Sequence, residues 1–444
     1  VNVTTRAFQA EFSDAVYLAT GATHGHPAGH VALDLSRRFS RQVLRDAVTH
    51  LIEMFPVLGC RYEARFWRDR WVPDASSVDS LVHVGDFSGA DRHAWLEHWI
   101  NRPIDPARER PFRIAQRETG SGSTLLISVA HAASDGAGIA AIVYELACSL
   151  YGAKSSAEPS RERGIGQLVR ALSSRQLAAL PAGVMEGGVG PFKLTRVADR
   201  RRPASIDGSA ASRFKTVVLD GSAYEAFRRC CASVGATLND GLAAAIASLS
   251  ATQTDDGPVV VYYTANLRRY LSAPKAIAGN LSGGEVMIVP RAALRSLAET
   301  AQTAARITSA QKDGVPGLGL AVFQWLTVGW LPHSVLRNVV VPRLDAASVS
   351  LFRKALVLTN VGAFDRFVEP FGADLLAVSV MGPFADSFPV PLVVSTGFRS
   401  SITLQICAGT GFPEQELDAF VEQLTRILRS PELSLAIEPR PTAA

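Results

Sequence analysis

The segment ISVAHAASDGAG places His131 directly after a run that reads as a β-strand, with Asp135 and Gly136 directly before a run that reads as a helix. A histidine lifted to a strand end presents its imidazole to a cleft, and an unperturbed pKa near 6.5 suits general-base work close to neutral pH. Asp135, four residues on, is placed to cap the helix or to anchor the loop. Gly136 lacks a Cβ and lets a ligand or a backbone come close. Taken alone, a histidine beside a strand is more often a packed core or loop residue than a catalyst, so the surrounding chain has to decide.

The other candidates carry less chemistry. His24, His26 and His30 in THGHPAGH sit in a Pro- and Gly-containing stretch that fixes no tetrahedral geometry, with no cysteine or carboxylate spaced to complete a metal site. GNLSGG and GGVGP lack the lysine and the strand-to-helix context of a phosphate loop, so they read as a bulge and a linker. No GxSxG elbow is present, which argues against a serine hydrolase of the α/β type. Arg200, Arg201 and Arg202 form a short basic run, ordinarily a solvated loop, that would also suit CoA phosphates or the acidic helix of a carrier protein.

The elements that must hold the histidine are legible from periodicity. Ser40 to Phe55 spaces its apolar residues as an amphipathic helix with Ser40 as cap, and a second helix near Asp91 to Ile100 turns Trp95 and Trp99 inward. The Pro-punctuated NRPIDPARERPF leads to the strand TLLISVA and a helix from about Gly138 to Leu150. Between Lys154 and Pro203 the texture becomes Gly-, Ser- and Arg-rich, with one modest helical pattern near Gln167 to Leu180. Beyond it come a strand at Phe214 to Leu219, helices at Ser222 to Val234 and Asn239 to Leu249, and strands at Val259 to Ala265 and Glu285 to Val289 flanking GNLSGG. A long helix from Arg291 to Gln311 is followed by strands near 355–359, 375–380, 392–396 and 402–407, read as completing one sheet, and a closing helix from Pro413 to Arg429. The expected division is therefore 1–153 as an N-terminal lobe carrying the motif, 154–212 as crossover, and 213–444 as a C-terminal lobe.

Composition narrows the class. Over 444 residues, 47% hydrophobic and 19% charged content is that of an ordinary globular protein and excludes disorder, collagen-like repeats and coiled coil. A net charge of +4, evenly spread, gives no argument for nucleic acid. The five cysteines are scattered and read as reduced core thiols; with no signal-like start in VNVTTRAFQAEF, a cytoplasmic location is expected. The apolar stretch Leu318 to Pro342 is interrupted by Gln324, His333, Arg337 and Asn338. It falls short of the ~18 uninterrupted apolar residues of a membrane span and reads as a buried helix pair, with a surface that touches lipid or covers an acyl chain as the alternative.

His131-Ala-Ala-Ser-Asp135-Gly136 resembles the HxxxDG core of the acyltransferases related to chloramphenicol acetyltransferase, a superfamily that includes peptide-synthetase condensation domains, polyketide-associated acyltransferases and the plant BAHD enzymes. The likeness extends in order along nearly the whole chain, through FPVLGCRY, NRPIDPARERPFRI, TLNDGLAAAIASL, NLRRYL, GNLSGG and LTNVG. One departure stands out: Ala130 occupies the place of the first histidine in the HHxxxDG of condensation domains. The resemblance implies two α/β lobes of related sandwich fold with a tunnel between them and His131, the catalytic base, at its middle. It implies that Asp135 points away from substrate and pairs with an arginine of the second lobe, best matched by Arg268, with Arg269 the runner-up. Asn360 in LTNVG is the nominee for an oxyanion donor, against the alternative of a turn residue. The implied activity is transfer of an acyl group from a thioester on acyl-CoA or an acyl carrier protein to a small-molecule alcohol or amine, in secondary or lipid metabolism, with no metal or redox cofactor. Two rivals accompany it: a stand-alone condensation enzyme forming an ester or amide from a carrier-bound chain, and a non-catalytic condensation-like recruitment domain, which Ala130 favours and His131, Asp135 and Gly136 disfavour.

Overall fold

The structure, a computed structural model, describes residues 6–25, 27–85, 91–155, 162–183, 212–251, 257–271, 276–312, 314–343, 355–382, 390–409 and 412–431. Arg200, Arg201, Arg202, GGVGP and His26 lie outside the described residues. The first half runs β1 (Phe8–Gln9), α1 (Phe12–His24), β2 (Ala28–Leu35), α2 (Arg41–Met54), β3 (Cys60–Glu63), β4 (Arg70–Pro73), β5 (Val82–Val84), α3 (Arg92–Ile100), β6 (Phe112–Glu118), β7 (Ser123–Ala130) and α4 (Gly136–Tyr151). Then follow α5 (Ile165–Ala171), α6 (Ser174–Gly183), β8 (Arg213–Leu219), α7 (Gly221–Ser233), α8 (Leu238–Ala251), β9 (Val259–Asn266), β10 (Ser282–Val289), α9 (Leu297–Lys312) and α10 (Leu318–Thr327). The chain closes with β11 (Ala355–Ala363), β12 (Leu375–Met381), β13 (Leu392–Phe398), β14 (Ser401–Ala408) and α11 (Glu414–Arg429).

Two large sheets carry the fold. The first has the order β12-β2-β7-β6-β5 and the second β10-β9-β11-β13-β14-β8; a small third sheet, β1-β4-β3, flanks the first. Every residue of β7 is buried, as its continuous run of apolar and β-branched residues requires of a central strand covered on both faces. The amphipathic helix α2 starts where Ser40 accepts a hydrogen bond from the Val43 N–H, and it packs with α4. In the second lobe α8 lies on β9 and β11, and α11 lies on β8. One apolar core runs through both sheets, from Val31 and Leu33 to Leu404 and Ile406.

Several expectations change on contact with the structure. The strand at 375–381 pairs antiparallel with β2, Leu375 opposite Leu35 and Met381 opposite His30, so it belongs to the first sheet although it lies in the second half of the chain. Strand character is local, but the choice of partner is not. The helical pattern near Gln167 to Leu180 is two helices, α5 and α6, and the helix expected from Arg291 begins at Leu297 after a short 3₁₀ turn. The stretch from 318 onward is buried on one side only: Leu318, Val322, Leu336 and Val341 enter the core, while Phe323, Leu326, Trp330 and Val339 face outward. No single helix among the described residues is long and apolar enough to cross a membrane.

Candidate active site

Two prolines set the level at which β7 ends. The Ala130 N–H donates to the Pro111 carbonyl (2.9 Å) and the His131 N–H to the Pro27 carbonyl (2.8 Å). Pro111 and Pro27 immediately precede β6 and β2, the neighbours of β7, and a proline has no N–H with which to extend a ladder. The chain then turns, with the Ala133 N–H returning to the Ala130 carbonyl (2.8 Å), and Asp135 opens α4 by accepting from the Gly138 N–H (2.9 Å). The Ala130 methyl enters a small apolar cluster with Ala28 and Ile104, so the place of a first histidine is filled by packing.

The imidazole of His131 is half-buried and held on two sides. Tyr17 of α1 stacks on it, with ring centroids 4.0 Å apart and planes 17° from parallel. Asn280, from the GNLSGG loop of the second lobe, lies with its Oδ1 3.1 Å from His131 Nδ1, while its Nδ2 donates to the His131 carbonyl at 2.8 Å. That second bond fixes which end of the carboxamide is which. Oδ1 therefore faces the ring, Nδ1 carries the proton and donates, and Nε2 keeps its lone pair, with no hydrogen-bond partner among the described residues. Burial pushes the imidazole pKa below its ordinary value, against smaller opposing effects of Asp135, the residue's own carbonyl and Asn280. The lowered pKa favours the neutral ring, in which Nε2 is the basic nitrogen.

Asp135 does not reach into this space. Its carboxylate is buried and accepts from Arg268 Nη1 (2.9 Å to Oδ1), the Gly138 N–H, the Leu281 N–H (2.8 Å) and the Ser282 hydroxyl (2.9 Å). Burial alone would raise its pKa, but the Arg268 guanidinium and these donors outweigh it and hold the group below the usual carboxylate range. Arg268 also donates to the Ile277 and Gly279 carbonyls, at 3.0 and 2.9 Å. The motif loop is thereby tied to the loop that delivers Asn280. Arg269, the runner-up, instead lies beside the Tyr270 ring.

The geometry also places the remaining sequence candidates. Asn360 does not join this group: its amide donates to Asn239 of α8 (3.2 Å), and it lines a separate cavity of about 170 Å³ with Tyr224, Leu238 and Ser395. On β11 the next residue, Val361, is the one that approaches the motif, so Asn360 is on the helix-covered face of the sheet. The close approach of backbone falls at Gly138, while the space over Gly136 is open, as the approach of a ligand would require. A Cβ there would meet nothing nearer than Val361 at 4.0 Å, whereas a Cβ on Gly138 would fall 2.2 Å from Ser134 Oγ and 2.8 Å from the Ile277 carbonyl. His30 belongs to a strand, where its Nδ1 meets the Ser128 hydroxyl at 2.9 Å and burial lowers its pKa to about 3.

Tyr17, Asn280 and Arg163 were not singled out by the sequence. Arg163, in the charged run after α4, is almost fully buried. It pairs with Asp14 of α1 (2.7 Å) and donates to the carbonyls of Ala133 in the motif loop (2.8 Å) and Ala278 beside the Asn280 loop (2.6 Å). Trp71 Nε1 donates to the same Asp14 carboxylate (2.8 Å). The available signal for Asn280 was the glycine before it: a Cβ on Gly279 would lie 2.8 Å from the Arg163 carbonyl, a close approach that only glycine permits.

No protein-family model matches the chain, and no curated protein sequence does. Solved structures do match along its length. The first condensation domain of the CDA synthetase aligns at a TM-score of 0.67 and 17% identity over 98% of each chain. Polyketide synthase associated protein 5 from Mycobacterium tuberculosis aligns at 0.64 and 15%, over 95% of this chain and 98% of that one. The trichothecene 15-O-acetyltransferase of Fusarium sporotrichioides aligns at 0.64 and 13%, over 96% and 95%. The chain shares the two-lobed α/β fold of these condensation-domain and acyltransferase structures. At these identities the likeness is one of fold, and the reaction has to be argued from the site.

Proposed function

We propose that the protein is an acyltransferase that moves an acyl group from a thioester, on CoA or on the phosphopantetheine arm of a carrier protein, to a hydroxyl or amine acceptor. The observation that carries this reading is the setting of His131: stacked by Tyr17, its Nδ1 facing the Asn280 oxygen and its Nε2 without a partner among the described residues, at the junction of the lobes. Nε2 takes the acceptor's proton as the acceptor oxygen or nitrogen attacks the thioester carbonyl. The tetrahedral intermediate then expels the thiolate, which recovers the proton from the imidazolium, and an ester or amide and a free thiol leave. Asp135 takes no proton in this sequence; with Arg268 it shapes the loop. A channel open from both sides, serving His131 with a thin pantetheine arm on one side and an acceptor on the other, suits this chemistry because it limits water where the thioester is cleaved.

A condensation reaction with a carrier-bound chain uses the same steps with a different donor and acceptor. A recruitment domain without chemistry has less support, since such a domain has no need of a locked tautomer with a free nitrogen. Thiol release from a panel of acyl-CoAs, and mass spectrometry of acyl-loaded carrier protein mixed with candidate alcohols and amines, test the reading. Release that needs both the acceptor and His131 is expected; a folded protein that releases thiol from no donor would overturn it.

A further inference from the structure

The outward side of the 318–343 stretch gathers with a loop of the first lobe into one apolar surface. Trp330 is 70% exposed, Trp67 65%, Phe66 63% and Leu326 52%, and Phe323 and Val339 of the same stretch are exposed as well; Phe323 and Leu326 lie on α10, and Trp330 in the turn that follows it. Singly exposed apolar residues are ordinary, but a contiguous set dominated by tryptophan and phenylalanine is not.

The set is held in place rather than loosely displayed. The His333 and Ser334 N–H groups donate to the Trp67 and Phe66 carbonyls, at 2.9 and 3.1 Å, and Arg68 donates to the carbonyls of Gly329 (2.8 Å) and Leu331 (3.4 Å). Beneath it the buried Asp69 carboxylate is engaged by Tyr62 (2.5 Å), the Arg65 N–H (2.6 Å) and Arg337. Among the described residues the charge around the aromatics is net positive: Arg65 pairs with Glu63 and Arg337 with the buried Asp69, while Arg68 and Arg343 donate to backbone carbonyls and carry charge that no carboxylate neutralises.

We propose that this face docks on an anionic lipid bilayer. Indole and phenyl rings on a rigid platform insert at headgroup depth, where tryptophan is the favoured anchor, and the arginines meet the negative surface. An anionic bilayer supplies neutralising charge wherever the arginines fall, whereas a protein partner would have to place carboxylates among six side chains whose only polar groups are two indole N–H groups. The proposal is independent of the reaction assigned to His131.

Co-sedimentation of the full chain with vesicles of phosphatidylcholine alone, and of phosphatidylcholine mixed with phosphatidylglycerol, tests it, together with the blue shift of tryptophan emission. Binding to the anionic vesicles is expected, weakened by salt, and reduced by about tenfold or more in Trp67→Ser/Trp330→Ser. Arg343→Glu is expected to weaken anionic-vesicle binding as well. Circular dichroism of each variant establishes that the fold is retained, and the single substitutions Trp67→Ser and Trp330→Ser serve if the pair does not fold. Absence of vesicle binding by the wild type, or binding unchanged in folded variants, would overturn the proposal. So would a concentration-dependent dimer, or a complex with an acidic carrier protein, that depends on Trp67 and Trp330 while vesicles are ignored.

Discussion

At His131 the decisive contact is the carboxamide of Asn280, because it selects the tautomer that leaves Nε2 unprotonated. If His131 is the base, His131→Ala lowers turnover by ~10²- to 10⁴-fold, the range that general-base catalysis supplies, without unfolding the protein. A folded variant with wild-type kcat would remove His131 from that role. The acid limb of kcat/KM should titrate below the ordinary histidine value, since burial disfavours the imidazolium. In Asn280→Asp a carboxylate replaces the neutral oxygen beside Nδ1 and favours the imidazolium, so the midpoint should move to higher pH. A pH–rate profile that does not move would mean that Asn280 does not govern the ring. His131 and Asp135 were legible because a strand end and a helix start bracket them within a few residues. Asn280 and Tyr17 were not, since they lie 149 positions after and 114 before the ring they contact, and no local pattern reports such a meeting. Asn360 was misplaced for a related reason: its strand was legible, but which face of the strand looks toward the motif was not.

Among the elements, β2 shows how much of the fold depends on partners. Its GHVALDL stretch is strand-like, yet the glycines, proline and histidines before it read as a loop, and α1 was missed because Ala, Thr and Gly give its helix little amphipathic contrast. The strand is fixed by pairing on both sides, with β12 and β7. Inside it His30 is neutral, with a folded pKa of about 3 against 6.5 for the free side chain. Between those values the unfolded chain binds the proton and the folded chain does not, so stability falls as pH drops from about 6.5 toward 3, by at most ~1.4 kcal/mol per pH unit from this group. His30→Gln retains a partner for Ser128 and cannot titrate. Denaturant midpoints measured between pH 7 and pH 4 should therefore decline less steeply in the variant. Equal slopes would show that His30 is not the group that makes the fold acid-labile.

Over the whole molecule, the two lobes are not independent units joined by a linker. β12 leaves the second half of the chain to close the first sheet, Arg163 joins α1 and the motif loop to the 278–280 loop, and Asp135 with Arg268 pins the motif across the junction. A core that runs without interruption through both sheets adds apolar contact that neither lobe could make alone. Unfolding should therefore be a single transition, with calorimetric and van't Hoff enthalpies in agreement, despite a length at which separate domains are common. Asp135→Ala gives the sharper test, because it leaves the Arg268 guanidinium buried without its carboxylate, a loss of roughly 3 to 5 kcal/mol. Spread over the unfolding entropy of a chain this long, that lowers the melting temperature by roughly 3 to 5 °C. If the lobes are coupled as the contacts require, the whole peak moves and stays single. A peak that splits, with one part left at the wild-type temperature, would show that one lobe holds its fold without the junction, and that β12 and the shared core do not bind the halves into one cooperative unit.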